Sequence, residues 1–144
     1  MNGTKNILMI EDNPADIRLT QEAFRENGIH HTLHVVKDGV EAMAYVRREN
    51  QYTGAERPDL ILLDLNLPRK DGRQFLAEIK ADALLRRIPV VILTTSQAET
   101  DINHCYDHHA NCYMVKPVNL EDFIATIRQI EGFWLGAVVL PELP

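Results

Sequence analysis

Short apolar runs alternate with longer segments of mixed polarity along the chain. Five of these runs predict β-strands, at residues 6–10, 32–37, 59–64, 89–94 and 112–115. Each run is too short for a helix and is bounded by polar or turn-forming residues. The third and fourth runs have wholly apolar interiors, which is typical of parallel strands that helices cover on both faces.

The segments between these runs carry apolar residues at helical spacing. Asn13 followed by Pro14 predicts the start of the first helix, and Gly28 predicts its end. Asp38, three residues before Glu41, resembles a capping box at the start of the second. The second to fifth helices each have a predicted apolar face. In chain order these faces are Val40, Met43, Ala44 and Tyr45; Phe75, Leu76 and Ile79; Ala98, Ile102, Cys105, Tyr106 and His109; and Leu120, Phe123, Ile127, Ile130 and Trp134.

The alternation of strand and helix determines the expected architecture. It predicts an α/β fold with a five-stranded parallel sheet, doubly wound as a (βα)5 flavodoxin-like three-layer sandwich. Such folds bind their ligands beyond the carboxyl ends of the strands. The residues that follow each strand are therefore the candidates for function.

Composition narrows the class of protein further. The 144 residues and a hydrophobic content of 45% fit one globular domain with its own core. The net charge of −6 argues against nucleic acid as a partner. No apolar run approaches the ~18 residues of a membrane span, and the first residues lack the features of a signal peptide. We therefore expect no membrane association and a cytoplasmic location, which the two cysteines, Cys105 and Cys112, also fit.

Residues able to do chemistry follow four of the five predicted strands. They are Glu11 and Asp12 after the first, Asp64 and Asn66 after the third, Thr94, Thr95 and Ser96 at the end of the fourth, and Lys116 after the fifth. Neighbouring carboxylates raise one another's pKa unless a cation intervenes, and Mg²⁺ prefers such oxygen ligands. A carboxylate can also form an aspartyl phosphate, with a lysine and a hydroxyl stabilising the phosphoryl oxygens. The set describes an aspartate that accepts phosphate.

Five motifs, in their order and spacing, resemble the receiver domain of two-component response regulators over about residues 5–130. They are Glu11-Asp12, Asp64 within Leu62–Pro68, Asp71-Gly72, Leu93–Thr95 and Val115–Pro117. The resemblance implies a receiver domain over residues 5–131, phosphorylation of Asp64, and Mg²⁺ or Mn²⁺ as cofactor.

The resemblance also implies a role for each residue of the set. Lys116 would pair with the phosphoryl group, and Asp12 would be a more direct metal ligand than Glu11. The other implied roles are metal ligation by Asp64 and by the backbone carbonyl of Asn66, a switch pair of Thr94 and Tyr113, rate tuning by Asn66 and Ser96, and a cis-proline at Pro117.

The implied function is that of a response regulator whose phosphorylation by a sensor histidine kinase switches a protein-interaction surface. The chain would catalyse only its own phosphotransfer and autodephosphorylation, and would not otherwise be an enzyme. A phosphatase of the haloacid-dehalogenase type is disfavoured because Asn66 stands where those enzymes need a second aspartate. A flavodoxin-like electron carrier is disfavoured because Glu11 and Asp12 would repel the phosphate of FMN. A receiver that docks without phosphorylation is the third alternative.

An apolar extension, residues 132–144, follows the last predicted helix, and no output domain is expected. It resembles the tail of single-domain receivers that serve bacterial and cyanobacterial phytochromes, which implies a phytochrome as the kinase. An exposed apolar segment marks an interface, so we expect an exchanged arm in a symmetric homodimer. The expected contacts are Phe133, Trp134, Leu135, Val138 and Leu140. The alternative is that the tail folds back on its own core.

Overall fold

The strands form a single parallel sheet in the computed structural model, which describes residues 4–26 and 31–143. Their order across the sheet is β2-β1-β3-β4-β5, with all neighbouring pairs parallel. The strands are β1 Asn6–Ile10, β2 Thr32–Val36, β3 Leu60–Leu63, β4 Val90–Thr94 and β5 Cys112–Val115. The predicted doubly wound fold is confirmed.

Five helices connect or follow the strands. They are α1 Pro14–Glu26, α2 Gly39–Arg47, α3 Gly72–Ala81, α4 Glu99–Asp107 and α5 Leu120–Ile130. Short 3₁₀ turns lie at Asn50–Tyr52 and Leu85–Arg87, and a π-helix, Glu131–Ala137, continues α5. The predicted helix end at Gly28 lies outside the described residues, as does Pro144.

Local capping chemistry explains where the helices begin. The side chain of Asn13 accepts hydrogen bonds from the backbone N–H groups of Ala15 and Asp16, as the predicted N-cap requires. Asp38 accepts from the N–H of Glu41, but the Glu41 side chain accepts from Lys37 instead of returning to Asp38. The second half of that predicted box is therefore missing. A complete capping box forms instead at α3, between Asp71 and Gln74.

The pleat of β1 divides the core into two layers. Leu8 and Ile10 pack with residues of α2, α3 and α4, while Ile7 and Met9 pack with residues of α1 and α5. All four side chains are at most 2% exposed, because helices cover both faces of this central strand. This is the three-layer arrangement that the apolar runs predicted.

Three of the predicted apolar helix faces are only partly correct. On α4, Cys105 is buried but Tyr106 is 49% exposed. Val40 of α2 and Leu120 of α5 are likewise exposed. Helix α4 packs near the edge strand β5, whose own residues are half-buried or exposed. The sheet therefore offers less apolar surface to cover the side chains of α4.

The tail folds back over its own chain. Leu135 is buried in the core layer beside α1 and α5, and Leu140 packs partly against the same layer. Beyond it, Leu143 packs against the opposite layer, so the tail crosses one end of the sheet. A cavity between the tail and Lys5 and Asp59 marks that end as the amino end of the strands. Within one chain this is the fold-back arrangement given above as the alternative, with Leu135 buried on the nearest core, while the exchanged arm stays a prediction. Homodimerisation itself stays a prediction.

Candidate active site

The backbone brings the ends of the strands to one rim. The N–H of Asp64 donates to the carbonyl of Ile10 at 3.1 Å, which places Asp64 beside the residues that follow β1. The N–H of Lys116 donates to the carbonyl of Thr94 at 2.7 Å, which extends the β4–β5 pairing by one residue. Regular strand pairing therefore carries the chemistry-bearing residues to the same edge of the sheet.

The Lys116 ammonium lies at the centre of this rim. Its Nζ atom is 2.7 Å from Glu11 Oε1 and 3.3 Å from Asp64 Oδ2. A third carboxylate, that of Asp16, lies 2.9 Å from the same nitrogen. The Lys116 side chain is only 7% exposed. The predicted meeting of Glu11, Asp64 and Lys116 is present.

Asp16 is a residue of the rim that none of the sequence motifs includes. It lies in the first turn of α1, three residues after the N-cap Asn13, and its side chain reaches Lys116 across the rim. Its place as an acidic residue in the first turn of a helix that starts at the rim is the signal that could have found it.

Burial and charge oppose one another at the site. Burial, with the Asp64 charge beside it, raises the pKa of Glu11 to about 7, although the hydrogen bond from Lys116 opposes this shift. Burial also disfavours the charge on Lys116, but hydrogen bonds to Asp16 and Glu11 outweigh it and raise the pKa of Lys116 above its ordinary value. Lys116 is therefore held as a cation among carboxylates.

Three of the carboxylates can also share a metal ion. Glu11, Asp12 and Asp64 each offer an oxygen, and these oxygens lie within 4.8 Å of one another. Carboxylate oxygens are hard ligands, and the three carboxylates carry more negative charge than Lys116 can offset, which fits Mg²⁺ or Mn²⁺. Asp12 is exposed, so the site is open to solvent. Asn66 also lies at this rim, with its N–H 3.5 Å from Asp64 Oδ1, while ligation by its carbonyl stays a prediction.

The predicted switch residues are connected through Ser96. Thr94 is fully buried, and its Oγ1 lies 3.4 Å from the N–H of Ser96. The Tyr113 hydroxyl donates to the carbonyl of Ser96 at 2.9 Å. The Ser96 hydroxyl donates to Asp101 at 2.5 Å. The Ser96 hydroxyl, expected to tune the dephosphorylation rate, is thus already engaged by Asp101, a residue outside the sequence motifs.

Pro117 differs from its predicted conformation. All peptide bonds of the described residues are trans, including the one between Lys116 and Pro117. The trans form is the lower-energy isomer of an X–Pro bond by about 0.5–1 kcal/mol. With this isomer Lys116 already reaches Glu11 and Asp64, so contact with the rim does not require the cis form.

A glycine permits the close approach of α3 to Asp64. A Cβ atom built on Gly72 would lie 2.2 Å from the carbonyl oxygen of Asp64 and 2.7 Å from the Cα of Leu65. Both contacts are with backbone, so no side-chain rotation could relieve them. The Asp71-Gly72 motif thus combines the N-cap of α3 with the only residue type that fits beside Asp64.

This geometry is that of a phosphoryl-accepting receiver, and comparison with known proteins agrees. The sequence matches the response regulator receiver domain family over residues 7–128, and the chain belongs to this family. Membership removes the phosphatase and electron-carrier alternatives.

Particular relatives resemble nearly the whole chain. Response regulator Rcp1 of Synechocystis sp. is 50% identical over 140 residues, which cover 97% of this chain and 95% of Rcp1. The crystal structure of the phosphorylated cyanobacterial phytochrome response regulator RcpA has 55% identity and a TM-score of 0.95, covering 97% of this chain and all of that one. The Mn²⁺-bound form of Rcp1 has a TM-score of 0.93 at 50% identity, with 96% and 99% of the two chains covered. In addition, none of the described helices has the length and apolarity needed to cross a bilayer.

Proposed function

We propose that Asp64 accepts a phosphoryl group from a sensor histidine kinase and that this chain is thereby switched between two interaction states. The observation that carries the proposal is the position of the Lys116 ammonium, 3.3 Å from Asp64 within a cluster of carboxylates. A buried lysine in this position can stabilise the negative charge of a phosphoryl group that forms on the neighbouring carboxylate.

The transfer step is a displacement at phosphorus. An oxygen of Asp64 attacks the phosphorus of a phosphohistidine, the P–O bond forms as the P–N bond breaks, and the imidazole leaves with the bonding electron pair. A Mg²⁺ or Mn²⁺ ion held by Asp12, Asp64 and Glu11 would offset the charge of the entering group. Lys116 neutralises a phosphoryl oxygen from the other side, and the buried Thr94 hydroxyl can donate to another.

Phosphorylation would change the molecule through Thr94 and Tyr113. Because Thr94 contacts Ser96, and Tyr113 donates to Ser96, a shift of the Thr94 hydroxyl toward the phosphoryl group affects the support of the Tyr113 ring. Tyr113 lies on β5, two residues before the exposed Val115, and its Ser96 partner is held by Asp101 of α4. The surface that switches is therefore formed by α4, β5 and α5.

The partner proposed is a phytochrome. The support is the similarity to RcpA, described as a cyanobacterial phytochrome response regulator, over 97% of this chain. A cytoplasmic location is part of the proposal and fits the two free cysteines, Cys105 and Cys112.

A homodimer is also proposed. Phe133 is 55% exposed and, with Trp134, lines an apolar groove of about 190 Å³ beside edge strand β5. An edge strand next to an apolar groove favours self-association. Light scattering at tens of micromolar should give a dimer mass, and Phe133→Ser should lower it toward the monomer. A monomer mass for the unaltered chain contradicts this part of the proposal.

Phosphoryl acceptance can be tested with a small donor. Incubation with Mg²⁺ and acetyl phosphate should add one phosphoryl group by intact mass, and Asp64→Asn should not take it up. Asp107→Asn, at an exposed position of α4, removes the same charge away from the rim and should label like the wild type. Labelling of Asp64→Asn at the wild-type level contradicts the assignment. Phosphotransfer from a panel of histidine kinases that includes a phytochrome tests the partner.

A further inference from the structure

A partly buried ion pair joins α3 to α4 outside the acidic rim. Arg73 Nε lies 2.6 Å from Asp101 Oδ1, and Arg73 Nη2 lies 2.8 Å from Asp101 Oδ2. The two side chains are 29% and 16% exposed. Arg73 also donates to Asp71, the N-cap of α3, at 3.0 Å. A two-point contact of this kind fixes orientation as well as distance.

The same carboxylate holds the loop after β4. Asp101 Oδ2 accepts the hydroxyl of Ser96 at 2.5 Å, and the Ser96 carbonyl accepts the hydroxyl of Tyr113 at 2.9 Å. The hydrogen bonds from Arg73 and Ser96 lower the pKa of Asp101 to about 2, so this acceptor stays ionised at neutral pH. Ser96 is therefore held by its side chain and by its main chain at once.

Ser96 lies two residues after Thr94, at the rim itself. Its hydroxyl is turned to Asp101, so it cannot donate to a water molecule or an oxygen beside Asp64 at the same time. Loss of the Asp101 carboxylate would free this hydroxyl and also loosen the carbonyl that Tyr113 uses.

We propose that Arg73 and Asp101 are positioning residues that hold Ser96 away from the phosphoryl site and keep Tyr113 in place. We call Arg73, Asp101 and Ser96 the Ser96 clamp. The clamp acts on the lifetime of the phosphoryl group and not on its acceptance, so this inference rests on the proposed function. A released Ser96 hydroxyl orients water for attack on phosphorus, which breaks the bond from phosphorus to Asp64 and yields inorganic phosphate.

The test is a set of lifetimes measured after removal of acetyl phosphate. Asp101→Ala should shorten the phosphoryl half-life about fivefold, the size expected for one hydrogen bond. Glu99→Ala removes an exposed carboxylate from the same first turn of α4 and should leave the half-life unchanged. Urea denaturation of both variants confirms that they are folded.

The decisive comparison is with Ser96→Ala. This variant alone should keep a half-life close to that of the wild type, because its hydroxyl is normally engaged by Asp101. In the Asp101→Ala background it should restore that half-life, which a general loosening of α4 would not allow. A half-life in Asp101→Ala equal to that in Glu99→Ala, or failure of Ser96→Ala to restore it, overturns the inference.

A second measurement separates this inference from the proposed function. The ring resonances of Tyr113, one of four tyrosines, should shift in Asp101→Ala and not in Glu99→Ala, before any phosphorylation. If the wild type takes up no phosphoryl group, the proposed function fails and the clamp is judged by this spectrum alone. Unchanged Tyr113 resonances in Asp101→Ala then overturn it.

Discussion

Replacing Gly72 by alanine should disturb the site and the fold together. Gly72 is the first residue of α3, and its N–H donates to the carbonyl of Leu65 at 3.0 Å. An alanine Cβ would lie 2.2 Å from the carbonyl oxygen of Asp64, where ordinary contact begins at 3.4 Å. The separation must therefore grow by more than an ångström, and neither the Cβ atom nor the carbonyl oxygen can move by a side-chain rotation.

The cost follows from this displacement. Overpacking of a well-packed region typically costs about 1–3 kcal/mol, and a Cβ contact with backbone atoms lies at the upper end because no rotamer can relieve it. For a domain of this size, about 3 kcal/mol lowers the melting temperature by roughly 10 °C. Movement of Asp64 by about 1 Å relative to Lys116 should also slow phosphoryl acceptance by up to about a hundredfold.

Urea denaturation and acetyl phosphate labelling measure the two effects. Gly54→Ala is the matched control, because a Cβ built there meets nothing within 4 Å. We expect Gly54→Ala to behave like the wild type in both assays. The reasoning is refuted if Gly72→Ala unfolds at the same urea concentration as Gly54→Ala and labels at the wild-type rate.

Three further predictions concern the tail, the lysine and the ion pair. Leu135→Ala should lower the free energy of unfolding by about 2–3 kcal/mol, whereas Val139→Ala, at a 99% exposed position, should not change it. A Leu135→Ala variant as stable as the wild type would contradict the burial of this side chain. Asp16→Asn should lower the pKa of Lys116, measured by NMR at the side-chain nitrogen, because it removes a hydrogen-bonded carboxylate; an unchanged pKa would contradict the contact. The pKa of Asp101 is about 2 in the folded protein against an ordinary 3.8, so its contribution to stability is complete above about pH 4 and lost as the pH falls through 2. The stability difference between wild type and Asp101→Asn should accordingly be about 0.5–1 kcal/mol near neutral pH and shrink in acid, and a pH-independent difference would argue against this ionisation.

The sequence alone determined the features that depend on neighbours along the chain. The apolar runs placed all five strands, and Asn13 marked the start of α1 through a hydrogen bond that spans only two residues. The convergence of Glu11 and Lys116 was also predictable, although they lie 105 residues apart. Parallel strands with right-handed crossovers have no other place for the residues that follow their carboxyl ends.

Only the tertiary structure decided the contacts that depend on how helices lie on the sheet. The pair of Arg73 and Asp101 joins residues 28 positions apart on two helices, and neither residue carries a motif that predicts the other. The exposure of Tyr106 and the path of the tail were decided in the same way. Helical spacing identifies which residues are apolar, but the amount of sheet and the core surface within reach determine which of them are buried, and those quantities exist only once the chain has folded.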